Sequence, residues 1–442
     1  MTRISALLRL AAIGLGVSGV LGGCSPAATP PAIPPAPPPI PARTVVEPPP
    51  PPPPAEQHEL ARLSRASGNE RDYFGTAVAL AGNRVLIGCG GDDTVGRDSG
   101  AAFLYELDAA GRPQLAATLL GKGGKRFTRY GYSVALGDNI AAVGADWEGP
   151  HSGAVYLYEP NEAGEWVQTA RLVSEQEPAN QLFGCKLAFA DDLLLVGAQQ
   201  QISAGRDAGA AFVFRRQGRG EWERVAKLVG EDTTADDQFG ATIAISGRTA
   251  VIGSRHNDDN TGSAYVFQEV DGVWRQVAKL KSDQPRWFGQ FGISVAVERT
   301  TVVVGEWKYS DRERDLGAAY VFQPDQDGEW RLQQKLTAAD ATERDRFGYS
   351  VAVSADRILV GMLRLMEGPR LPSAYLFTRG DNGVWQQTGK LRSTEVQSDG
   401  SFGSVVALDK DRALIGDESQ AAFRGAAYLF ELPQPIADDY RR

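Results

Sequence analysis

The sequence predicts an all-β fold, a seven-bladed β-propeller with four antiparallel strands per blade, closed by an N-terminal strand that completes the last blade. Three observations predict it. An aromatic-Gly pair recurs at Phe74, Tyr130, Phe183, Phe239, Phe291, Phe347 and Phe402, at intervals of 52 to 56 residues. A glycine ends a second apolar run fourteen residues after each of those aromatics, from Gly88 to Gly416. A leucine precedes each of them by eleven residues, from Leu63 to Leu391, and no helical periodicity interrupts the pattern. Unvarying spacing at so long a period marks a repeat architecture.

Residues 1–23 read as an export signal, with Arg3 and Arg9, an apolar run from Leu10 to Leu21, and Gly22-Gly23 before Cys24. Leu21-Gly22-Gly23-Cys24 resembles the bacterial lipoprotein signal. That resemblance implies a diacylglycerol thioether on Cys24, and Ser25 after it implies sorting to the outer membrane. Residues 24–56 then form a lipidated tether: Pro26 to Pro54 holds 16 of the 26 prolines, so neither helix nor sheet can form there. At about 3.1 Å per residue in polyproline II, that spacer reaches roughly 90 Å.

The repeats occupy residues 57–432, with a tail at 433–442. In each copy the aromatic-Gly pair opens the first strand, as in Tyr349-Ser350-Val351-Ala352-Val353, and the fourteenth-residue glycine closes the second. The third begins at Gly-Ala or a near equivalent, as in Gly317-Ala318-Ala319-Tyr320-Val321-Phe322, and at Pro372-Ser373 in the sixth copy. Small residues there admit close backbone approach. The fourth runs from Trp to Leu, as in Trp166 to Leu172, with Pro113 replacing Trp in the first copy. Copy seven lacks a fourth strand, and His58 to Leu63 matches Val167 to Leu172, the Trp-to-Leu strand of copy two, in register. Closing a ring with it buries both open sheet edges, whereas a solenoid would need polar caps.

These residues resemble the FG-GAP repeat, the unit of the integrin α-subunit propeller, in a bacterial exported form. Phe-Gly-x-Ser-Val-Ala, Val-Gly-Ala, Gly-Ala-Ala-Tyr-Val-Phe and Trp-x-x-x-x-Lys-Leu carry the resemblance. The proline of the third signature trio is absent in all seven copies. The turns between first and second strands, such as Ala81-Gly82-Asn83-Arg84, are too short to wrap the calcium that the resemblance brings with it. No metal and no cofactor are therefore expected.

Composition limits the function. The chain has 442 residues and a net charge of -9, which becomes -11 once the segment with Arg3 and Arg9 is removed; this disfavours nucleic acid as a partner. Three histidines and three cysteines leave little for metal or disulfide chemistry. Cys89 and Cys185, at different repeat positions in copies one and three, are expected to be buried thiols.

Loop length locates the functional face. The interval between the second-strand and third-strand landmarks varies between 9 and 12 residues while the other segments barely change. Variable loops on a rigid scaffold carry binding, and strand alternation places them on the same rim as the fourth-to-first connections. Five tryptophans occupy the repeated fourth-strand position; Trp147, Trp287 and Trp307 fall on the variable rim. With His151, Arg255, His256 and Tyr309 they form the candidate ligand-binding set, and Asp258, Asp259, Lys308 and Arg364 lie nearby. The competing reading has Trp287 and Phe288 plugging a blade junction beneath a solvated rim.

Other motifs are turn chemistry. Arg379-Gly380-Asp381 occupies a hairpin turn, and Asp72, Asp237 and Asp345 precede aromatic-Gly pairs as caps. Gly121-Lys122-Gly123-Gly124-Lys125 lacks the spacing and the Ser or Thr of a P-loop. The expected function is a monomeric, membrane-anchored, non-catalytic binding platform for a glycan or protein. The alternatives are a propeller lyase or hydrolase, using a carboxylate or His256 near the axis, and a structural envelope component.

Overall fold

The computed structural model describes residues 55–65, 68–121, 127–174, 181–307, 316–363, 371–395 and 400–433. Seven sheets, each built on four antiparallel strands, follow one another in chain order, each with its first strand against the next blade's first strand around a central axis. Blade two is representative: Tyr130–Gly137, Ile140–Ala145, Ala154–Pro160 and Trp166–Leu172 pair in sequence from the axis outward. The second strand is buried at every residue, whereas the fourth is at most half-buried. Blades cover both faces of the inner strands, so those strands read as continuous apolar runs.

The signature residues hold neighbouring blades together. The aromatic of each pair is buried and packs on its own third strand, in five of the seven copies on two aromatics two residues apart: Phe291 lies 5.4 Å from Tyr320 and 6.1 Å from Phe322. Full burial of one such ring contributes about 2–3 kcal/mol. The glycines between blades are fixed by contact. A Cβ on the second-strand Gly88 would meet the carbonyl oxygen of Gly131 in the next blade at 1.9 Å, and the same clash recurs at all seven copies through Gly416 and Gly75. Third-strand glycines make a parallel bridge to the next aromatic, as Gly262 does to Phe291. In the sixth copy Pro372 holds that position and has no N–H to offer.

The ring closes as the repeat register requires. Strand β2 (Ala61–Leu63) pairs antiparallel with Ala427–Leu429 as the outermost strand of blade seven, and Leu63 is buried. This strand is shorter than the six residues matched by register. The chain before it turns away: strand β1 (Ala55–Gln57) runs parallel to Gly389–Leu391 and adds a fifth strand to blade six. Glu56 pairs with Arg392 at 2.7 Å, and Glu59 accepts a hydrogen bond from Ser393 at 2.7 Å. No sequence signal pointed to β1, because three residues carry no periodicity.

Loop length selects loop structure. Nine-residue intervals, in copies two, four and seven, each fold into a single helical turn: Glu148–His151, Asn257–Asn260 and Gln420–Phe423. The latter two hold left-handed residues, Asp258 and Asp259 in one and Ala421 and Ala422 in the other. Asp tolerates that region through local hydrogen bonds, whereas Ala does not. The caps also form: Asp72, Asp237 and Asp345 accept the backbone N–H three residues earlier at 2.8, 2.7 and 2.7 Å. Cys89 and Cys185 are buried and unpaired.

Candidate functional site

The seven first strands deliver three rings of side chains to an axial cavity of about 360 Å³. The first ring is the residue after each aromatic-Gly pair. It is chemically mixed: Tyr132 and Tyr349, Thr76 and Ser404, then Cys185, Ala241 and Ile293. The second ring is largely structural, because Ser133, Thr242, Ser294 and Ser350 donate to the following blade's glycine carbonyl at 2.5 to 2.8 Å. Lys186 stands in that ring in place of the hydroxyl and lines the cavity. The third ring, from Val78 to Val406, is aliphatic throughout.

Above these rings the cavity widens into a mouth of about 460 Å³ on the variable-loop face. Two further repeat positions supply it. The second residue after each second-strand glycine gives Arg255, Trp307 and Glu418, and the residue before each aromatic gives Arg346. Residues at the latter position, including Arg129, Gln238 and Arg346, adopt positive φ, which turns the chain into the first strand. The guanidinium of Arg346 lies 4.2 Å over Trp307, and that of Arg129 lies 3.4 Å over Tyr132 and 4.8 Å over Trp147.

Charge around the mouth runs against that of the whole chain. Lys186, Arg255 and Arg346 line the funnel with Glu418, and Arg129 stands opposite Asp146. Glu418 accepts a hydrogen bond from Thr76 at 2.8 Å. Asp146 is 1% exposed and lies 3.6 Å from Arg129; burial pushes its carboxyl up to about 6, against the pull of Arg129 and Lys186. Burial, then the charge of Glu418, raises the Tyr349 hydroxyl. Burial and then Arg255 lower His256.

The residues singled out in sequence separate into three groups. Arg255 and Trp307 line the mouth. Trp147 and His151 form an edge-to-face pair at 5.1 Å on the rim, and half-buried His256 precedes the turn at Asn257. Trp287 is 74% exposed and packs on Phe288 at 4.2 Å, so it projects instead of plugging a junction. Tyr309, with Lys308, Arg364 and Cys24, lies outside the described residues. Lys186, Tyr132, Tyr349, Arg346, Glu418 and Phe423 were not anticipated. The available signal was the repeat register: these residues hold positions whose chemistry changes from copy to copy between invariant neighbours.

Among the described residues, Asp72, Cys89 and Asp92 bring ligand atoms within 4.8 Å of one another, all buried. Their donor chemistry opposes a metal. Arg65 bonds both carboxylates, and burial raises the Cys89 thiol, which donates to the Asp72 carbonyl at 3.1 Å. In blade four the same positions are Asp237, Ser254 and Asn257, joined by direct hydrogen bonds.

The family model described as FG-GAP repeat matches seven segments, residues 58–105, 114–158, 166–214, 222–267, 274–322, 330–377 and 385–430. Each segment takes the fourth strand of one blade and three strands of the next, so the sequence unit is offset by one strand from the blade. The chain is also similar to the crystal structure of a protein from Lactobacillus plantarum, at 15% identity and a TM-score of 0.49, covering 73% of this chain and 86% of that one.

Proposed function

The chain belongs to the FG-GAP repeat family, and on that footing we propose that its propeller is a rigid, non-catalytic binding platform for a glycan or protein, presented from a membrane by a lipid on Cys24. One observation carries this reading. Every exposed Phe, Tyr or Trp side chain among the described residues lies in a loop of one face: Phe127, Trp147, Trp287, Phe288 and Phe423. The opposite face has short hairpin turns, with no exposed Phe, Tyr or Trp among the described residues there. Exposed aromatics gathered on one rim mark recognition.

Anchoring rests on the sequence of residues 1–24. No helix among the described residues is long and apolar enough to cross a membrane. Incorporation of labelled palmitate, lost in Cys24→Ala, tests the anchor; a cleaved protein without label refutes it. Binding is tested by screening glycans and peptides with the full chain in detergent against a Trp147→Ala, Trp287→Ala variant of matched thermal stability. Loss of a ligand in the variant supports the platform, and binding that the variant retains in full removes the aromatic rim from the site.

A second reading has its own support. Asp146, with a carboxyl near 6, feels the charge of Lys186 across space beside the funnel, and an acid and a base are what lyases and hydrolases use. Turnover of a screened glycan, abolished by Asp146→Asn, would favour that reading over the platform.

A further inference from the structure

Resting on the binding reading, the chemistry of the funnel narrows the ligand. Lys186 occupies a position where four of the other copies have Ser or Thr, and it is half-buried against the cavity. No carboxylate lies within ion-pair distance of it among the described residues; its charge is registered by Asp146 and Cys185 only across space. Arg255, one blade further on, is held by two hydrogen bonds to the neutral side-chain oxygen of Gln238, at 3.0 and 2.7 Å. That bond fixes the guanidinium without neutralising it. Of the two acids beside the funnel, Asp146 faces Arg129, while Glu418, held by the neutral Thr76 hydroxyl, keeps its charge. Two cations against one carboxylate therefore leave this concave site net positive in a protein of net charge -9, and low-dielectric walls focus that field into it.

The remaining wall is rich in hydroxyl groups and aromatic rings. Thr76, Ser404, Tyr132 and Tyr349 supply hydroxyls in one ring, and Gln199 adds an amide. A cavity of about 360 Å³ is sized for one small ligand or one terminal residue of a chain. We propose that the funnel takes the carboxylate-bearing end of an acidic saccharide, its carboxylate between Lys186 and Arg255 and its hydroxyls on the Thr76–Tyr132–Tyr349–Ser404 ring.

The test is calorimetric titration of the full chain in detergent at low salt with glucuronate and digalacturonate. Glucose and an acetylated peptide with a free C-terminal carboxylate are run beside them. Lys186→Ser places in copy three the residue found in other copies, and Arg255→Gln removes the second charge; both are checked for an unchanged thermal midpoint. Uronate binding weakened at least ~10-fold by each variant, and reduced by added salt, is the expected result. Glucose binding as tightly as glucuronate overturns the proposal, as does preference for the peptide or absence of uronate binding at about 10 mM. Neutral glycan binding lost in the Trp147→Ala, Trp287→Ala variant but not in Lys186→Ser overturns the funnel assignment and leaves the platform standing.

Discussion

The carbonyl oxygen of Phe74 stands where a side chain on Gly425 would begin, 2.0 Å from the Cβ position of that glycine. Phe74 opens the first blade and Gly425 opens the third strand of the last, so this contact is the seam of the ring. The Phe74 N–H donates to the Arg424 carbonyl at 3.0 Å across the same seam.

Gly425→Ala is expected to cost more than its left-handed φ of 82° alone requires, because a backbone carbonyl must move as well. Gly82→Ala supplies the comparison, with φ 57° and open space around it. Urea unfolding should show a loss of about 1 kcal/mol at Gly82 and about 3 kcal/mol or more at Gly425. Equal losses would show that the seam contact is not decisive.

Removal of residues up to 59 takes away β1 and its Glu56–Arg392 pair, an exposed ion pair of small value. Removal up to 64 also takes β2, exposing the edge at Ala427–Leu429 and the cluster around Leu63. The shorter deletion should move the thermal midpoint by no more than a few degrees, and the longer one should abolish cooperative unfolding. A cooperative transition in the longer deletion would mean that three strands suffice for blade seven.

Asp146 links stability to pH. Its carboxyl sits at about 6 in the fold, mainly through burial, against about 3.9 in an unfolded chain. The folded state then holds a proton that the unfolded state has lost between those values. Stability falls as pH rises from 4 to 6, and the full cost, at most about 3 kcal/mol, is present above 6. Burial raises Glu306 and Asp417 in the same direction. Asp146→Asn should flatten part of this slope and raise the thermal midpoint at pH 7; an unchanged pH profile would count against the assignment.

Ala421 and Ala422 adopt φ of 54° and 59° in the turn that presents Phe423 to the mouth. Glycine relieves that strain, so Ala421→Gly and Ala422→Gly should each stabilise by up to about 1 kcal/mol despite the added freedom of the unfolded chain. Differential scanning calorimetry decides it, and a lower midpoint in both variants would refute the strain.

The blades and their closure were legible from Leu63, Phe74 and Gly88 and their copies, because each spacing corresponds to one strand and one turn. The funnel was only partly legible. Arg255 and Trp307 drew notice as off-register side chains in variable loops, and they do line the mouth. Lys186 and Tyr349 passed unnoticed inside the repeated strand, where apolar neighbours mask a single change of chemistry. Strand β1 left no trace, since pairing with Gly389–Leu391 depends on where the ring brings blade six.

Blade number, strand order and the offset closure are written in the chain, since they follow from local spacing and from the need to bury two sheet edges. Which residues share a site depends on ring closure. Thr76 and Glu418 lie 342 positions apart yet meet at 2.8 Å. A closed ring brings every first strand to one axis, so a position repeated at intervals of 52 to 56 residues becomes a single circle of side chains. The charge and shape of that circle are set by seven residues at once, and no single repeat contains them.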